Sequence, residues 1–115
     1  MHELGIVFYI IKDVKAAAQE NKATEISSVT IQLGEVSGVI PEYLTDCWKW
    51  AIKKEGPILE KSELVIETIP AVTFCEDCKG EYPTVTYGKL CPHCKSEKTY
   101  LLKGNEVMIK EIAAR

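Results

Sequence analysis

Two short stretches of this sequence carry obvious metal chemistry, "CEDC" at Cys75–Cys78 and "CPHC" at Cys91–Cys94. Each is a C-x-x-C pair, and 12 residues separate them. One such pair alone is weak and fits a thiol–disulfide couple. Two pairs in one segment are a strong signal. Each tight turn delivers two thiolates, and two turns facing each other supply the tetrahedral sulfur set that Zn²⁺ prefers. Two disulfides or a redox dithiol are the alternatives, which a reducing compartment disfavours. Iron competes as the metal, because four-sulfur geometry fits both ions. A site closed by four protein ligands is structural, not catalytic. His93, inside the second turn, reads as a surface turn residue rather than a stand-by ligand. Cys47 has no neighbouring cysteine and reads as a small core residue of a helix.

The amino terminus, "MHE", is a second candidate. Its bland reading is a surface histidine at a helix start, with Glu3 complementing the helix dipole. The sharper reading notes what lies within reach of one ion. The Met1 amine, main-chain amide nitrogens and the His2 imidazole can close small chelate rings. Nitrogen donors in a plane suit Ni²⁺ or Cu²⁺ rather than tetrahedral Zn²⁺. Only a free terminus offers this set, since an internal histidine has no amine beside it.

The elements that must hold these groups follow from periodicity. Leu4, Val7, Phe8, Ile11, Val14 and Ala18 recur at helical spacing, which predicts a helix from Glu3 to Gln19 stopped near Asn21. In "ISSVTIQLGEVSG", Val29, Ile31 and Leu33 alternate with polar residues, the period of a half-buried strand. Pro41 suits the first position of a second helix, "PEYLTDCWKWAIKKE", with Leu44, Cys47, Trp48 and Ala51 on one face and Gly56-Pro57 beyond its end. "SELVIETIP" is a second strand. Helical period vanishes from Ala71 to Leu101, and a strand pattern returns in "NEVMIKEI". The "GEVSG" stretch reads as a strand-to-helix connection, and nothing in the sequence places Glu35. The expected fold is α+β: a three-stranded mixed sheet with two helices, plus an inserted four-cysteine zinc-ribbon-like knuckle. The expected division is a base of residues 1–70 and 105–115 that binds nickel, and a zinc-binding domain of residues 71–104.

The 115 residues bound the chain to one domain with, at most, a small satellite. A net charge of −3 argues against binding driven by phosphate neutralisation. No stretch approaches the ~20 apolar residues of a membrane span. The run "LGIVFYII" lacks the charged flank and cleavage site of a signal peptide, so a cytoplasmic protein is expected. No G-x-x-x-x-G-K-[ST] phosphate loop and no Ser/His/Asp set stand out, and two histidines give general-base catalysis few candidates.

"MHE", "LGEVSGVIPEYL", the paired "CEDC" and "CPHC", and the closing "GNEVMIKEI" together resemble the HypA/HybF family of nickel metallochaperones, over essentially the whole chain. The resemblance implies a Ni²⁺ site at Met1, His2 and Glu3, and a structural zinc site at Cys75, Cys78, Cys91 and Cys94. It implies a nickel carrier for [NiFe]-hydrogenase maturation, without substrate turnover, with some members also serving urease. Its implied partners are a nickel-handling maturation GTPase and the hydrogenase large-subunit precursor, with neither nucleic acid nor membrane. The chain departs from the family at Lys95, where a glycine commonly follows the last cysteine. The rival reading is a zinc-ribbon module that contacts protein or nucleic acid without delivering nickel. Acids and bases nearly cancel between Ala71 and Gly104, and no basic stripe interleaved with aromatics appears there.

Overall fold

The computed structural model describes residues 3–115, and its elements are those of an α+β protein. In chain order they are α1 (Glu3–Glu20), β1 (Ile26–Gly34), α2 (Pro41–Ile52), β2 (Glu63–Ile69), β3 (Val72–Cys75), β4 (Glu81–Pro83), α3 (Thr84–Tyr87), β5 (Thr99–Lys103) and β6 (Val107–Ala114). No helix among the described residues is long and apolar enough to cross a membrane. The chain divides into two compact units. One takes the chain up to Gln32, Val39–Glu67 and Met108–Arg115; the other takes Leu33–Gly38 and Thr68–Val107.

One three-stranded sheet has the order β2-β1-β6. As β1 advances, its partners in the β2 segment also advance: Gln32 reaches Glu67 at 3.4 Å, and the Glu35 N–H reaches the Ile69 carbonyl at 2.9 Å. Its partners on the β6 side fall instead, from Arg115 beside Glu25 to Glu106 beside Gly34. The sheet is therefore mixed, with α2 in the crossover between the parallel pair, as a parallel connection requires. Val29, Ile31 and Leu33 are buried and alternate with half-buried Thr30 and Gln32, as the sequence period predicts.

In the first unit, Val7, Ile10, Ile11, Val14 and Ala18 of α1 and Leu44, Trp48, Ala51 and Ile52 of α2 are buried. Leu4 and Phe8, predicted on the buried stripe, are 38% and 40% exposed, and Ile10 takes the inward position instead. For Phe8 the reason is angular, since it falls at the edge of the stripe that Val7, Ile11, Val14 and Ala18 define; Leu4 falls nearer the stripe's centre but lies in the first turn of α1. Phe8 meets Trp50 of α2 edge-on, 6.4 Å between ring centres. Cys47 is half-buried rather than a core residue, for the same reason: it lies beside the Leu44–Trp48–Ala51 stripe, not on it. The α1 end is a left-handed cap. Lys22 takes φ 55°, the Ala23 N–H bonds the Ala18 carbonyl at 2.8 Å, and the Lys22 N–H bonds Gln19 at 3.2 Å.

The second unit contains an element the period did not foretell. The segment after Ala71 forms its own antiparallel sheet, β4-β3-β5, with a bulge at Val72/Thr73, and the one-turn helix α3. Its strands are too short for alternation to show. The apolar cluster buried around the cysteine turns is small: Cys75, Tyr82 and Cys91. The Tyr82 hydroxyl donates to the Gly88 carbonyl at 2.8 Å, and the buried Thr73 hydroxyl pairs with Thr84 at 2.6 Å.

Candidate metal centre

Two turns of the same design hold the four cysteines. In the first, the Lys79 N–H donates to the Cys75 carbonyl at 2.9 Å, and the Cys75 N–H donates to the Gly80 carbonyl at 2.9 Å. In the second, the Lys95 N–H donates to Cys91 at 2.9 Å, and the Cys91 N–H donates to Ser96 at 3.0 Å. Each turn closes through a residue of left-handed backbone just after its second cysteine, Lys79 at φ 61° and Lys95 at φ 60°. Lys95, where the resemblance favours glycine, thus keeps the turn by adopting the backbone a glycine would take. Cross-links steady the pair: the Ser96 hydroxyl donates to Asp77, the Glu76 N–H donates to Lys98 at 2.9 Å, and the Thr99 hydroxyl donates to Lys89 at 2.8 Å.

The result is a compact sulfur cluster. The ligand atoms of Cys75, Cys78, Cys91 and Cys94 all lie within 4.8 Å of one another. Cys75 and Cys94 approach to 3.5 Å, and Cys78 and Cys91 to 3.6 Å. Those spacings exceed a disulfide bond of about 2.05 Å. They sit near the edge of about 3.8 Å expected for a tetrahedron of sulfurs 2.3 Å from a central ion. Cys75 and Cys91 are buried, Cys78 and Cys94 exposed, so each turn supplies one inner and one outer thiol.

Main-chain N–H groups are aimed at the sulfurs, and the thiols compete. At Cys91 burial raises the thiol, but the N–H groups of Cys94 and His93 and the sulfurs of Cys78 and Cys94 outweigh it, bringing it down to about 6. At Cys94 the Ser96 N–H favours the thiolate, but the neighbouring Cys75 sulfur, burial, and the Cys91 and Cys78 sulfurs push it up to about 12. Cys78 is also raised: the Gly80 N–H lowers it, and the Cys91 sulfur, burial and the Cys75 sulfur outweigh that bond. Four crowded thiols cannot all ionise by themselves. A divalent cation at their centre removes that conflict, which is how a sulfur-four site fits such an ion.

The structure brings together all four cysteines expected to bind one metal. Among the described residues they are the one group of three or more histidine, cysteine or acidic side chains placed to hold an ion. His93 is exposed and contributes its N–H to the Cys91 sulfur. Glu3 begins α1 and is half-buried there. Met1 and His2, the other expected nickel ligands, lie outside the described residues. Sequence reasoning missed the role of Glu35, whose carboxylate accepts the Ala71 N–H at 2.9 Å. Its only signal was an acid between glycines in "GEVSG".

The sequence model of a family described as "Hydrogenase/urease nickel incorporation, metallochaperone, hypA" matches residues 1–114. A hydrogenase maturation factor HypA of Picosynechococcus sp. is 32% identical over 112 residues, covering 97% of both chains. Another, from Chloroflexus aggregans, is 37% identical over 109 residues, covering 93% of each. The solution structure of the Ni metallochaperone HypA from Helicobacter pylori superposes with TM-score 0.72 over 99% of this chain and 97% of that one, at 23% identity. A further HypA solution structure gives TM-score 0.75 over 100% and 97%. At that identity the likeness speaks for the fold.

Proposed function

The chain belongs to the HypA family of metallochaperones for hydrogenase and urease nickel incorporation, proteins that carry metal rather than turn over substrate; from that premise we propose that it binds Ni²⁺ at its amino terminus and delivers it during [NiFe]-hydrogenase maturation. The observation that carries this reading is the family match, which runs from residue 1 through both cysteine pairs to residue 114. The nickel ligands are Met1, His2 and Glu3, with main-chain nitrogen completing a planar set.

Zn²⁺ occupies the four-cysteine centre as a structural ion. Four mutually close sulfurs, two of them buried, support this, because they saturate a tetrahedral ion and leave no position for a substrate. Nickel and zinc then hold separate sites with opposite ligand preferences. The chain's partners in nickel delivery are a nickel-handling maturation GTPase and the hydrogenase large-subunit precursor, and all three proteins work in the cytoplasm. Urease is a second client class that the family description names.

The test is calorimetry and metal analysis of untagged protein. His2→Ala is expected to abolish specific nickel binding and leave zinc at one per chain. A short extension before Met1 weakens nickel too, because the primary amine becomes an amide. Wild-type nickel affinity in untagged His2→Ala protein would overturn the terminal site.

A further inference from the structure

The chain enters the metal-bearing hairpins through Ala71, one residue before β3, and leaves through Gly104, one residue after β5. The stretch Leu33–Gly38 belongs to the same compact unit and is bound to both points. The Gly34 N–H donates to the Glu106 carbonyl at 2.8 Å, and the Val36 N–H donates to Gly104 at 2.7 Å.

Glu35 holds the entry strand twice. Its N–H donates to the Ile69 carbonyl at 2.9 Å, and its carboxylate accepts the Ala71 N–H at 2.9 Å. The two bonds bracket Pro70, which has no N–H of its own to offer. Ala71 is 2% exposed, so its amide needs a partner, and a charged acceptor makes a stronger bond than a neutral one. The Ala71 carbonyl accepts the Thr84 N–H at 3.1 Å, at the start of α3. Backbone packing leaves no slack, since a Cβ at Gly104 would lie 2.4 Å from the Ala71 Cα.

We propose that Glu35 is a positioning residue for the metal centre: its two-point clip on Ile69 and Ala71 makes Leu33–Gly38 part of the metal unit, so that zinc retention and the order of this stretch depend on each other. The link is short. Ala71 is joined to the ligand Cys75 through β3 alone, a strand bonded on both edges, to β4 and to β5. Displacement at its root reaches the first cysteine turn directly. The proposal rests on the zinc reading given above.

The experiment uses full-length, zinc-loaded protein, with amide exchange by NMR and zinc transfer to a chromophoric chelator. In Glu35→Ala the Ala71 amide is expected to exchange roughly tenfold faster or more, and zinc to leave faster by a similar factor. Glu35→Gln keeps an acceptor oxygen and restores both. Ile31→Val, in the core of the other unit, serves as a control: it lowers the melting temperature and leaves zinc transfer unmoved. Stripping zinc from the wild type should loosen the Ala71 amide as Glu35→Ala does. Unchanged Ala71 exchange in Glu35→Ala overturns the clip, and so does zinc transfer that speeds equally in Ile31→Val. Unchanged Ala71 protection after stripping overturns the coupling. Purified protein without metal on its cysteines would instead defeat the zinc reading, and the exchange comparison of Glu35→Ala with wild type would still judge the clip.

Discussion

Gly34 and Gly104 touch backbone to backbone: a Cβ built on Gly34 would lie 2.1 Å from the Gly104 carbonyl oxygen and 2.6 Å from the Asn105 nitrogen. Both glycines are buried, and the Val36 N–H bonds the same Gly104 carbonyl. Neither backbone can retreat without breaking bonds on either side.

Gly34→Ala is therefore expected to cost at least about 2 kcal/mol, the upper range for an added methyl in a packed site. Gly38→Ala makes the contrast. It has open space around its Cβ but a φ of +82°, so its cost is purely conformational, about 1 kcal/mol. Urea unfolding of both variants checks the ranking, and an equal cost at the two positions refutes the crowding at Gly34.

Lys95 holds a left-handed backbone at φ 60° directly after the last cysteine. Lys95→Gly is expected to leave stability unchanged or raise it by up to about 1 kcal/mol, since strain relief and lost chain stiffness oppose each other. Lys95→Val, β-branched, should lower it. Thermal melts of the zinc-loaded variants decide the matter. A loss of stability in Lys95→Gly would mean that the lysine side chain itself supports the turn.

Removal of one zinc ligand should act on one unit. Cys75→Ala is expected to disorder the cysteine-bearing sheet, whose buried set is small, while the helical unit persists on its own core. Trp48 and Trp50 both lie in the helical unit, so their emission reports on it alone. Retained tryptophan emission and helical circular dichroism, with lost zinc, is the expected pattern. Collapse of both signals would show that the units do not fold separately.

Glu106 gives an acid dependence with a definite sign. The Gly104 N–H, 2.5 Å from the carboxylate, together with the Asn105 N–H, its own N–H and the Lys103 charge, outweighs burial and holds this carboxyl below the usual range. A lowered carboxyl contributes stability above its ordinary pKa, near 4.3, and loses that contribution as pH falls through the lowered folded value. Glu106→Gln should be less stable than the wild type at pH 7, and the gap should close as pH drops below about 4. The carboxyl carbon shift of Glu106 followed by NMR tests the premise, which fails if the midpoint sits at or above the usual value.

Much of this protein was legible in the sequence, for a physical reason: its signals are local. A helix stripe such as Val7-Ile11-Val14-Ala18 and the strand alternation of Val29, Ile31 and Leu33 repeat within one element. Two C-x-x-C pairs state their own ligand geometry, because each turn is built from six consecutive residues. The α+β class, the mixed sheet and the four-cysteine cluster follow from such patterns. What tertiary structure decided depends on residues distant in the chain. Phe8 and Cys47 sit at stripe edges and Leu4 in the first turn of its helix, places where only the neighbouring element determines burial. The β4-β3-β5 sheet is too short to show a period, and its pairing is set by the cysteine turns that close it. Glu35 became intelligible only beside Ala71, 36 positions away, because a carboxylate's partner is chosen by where the fold leaves a buried N–H unanswered.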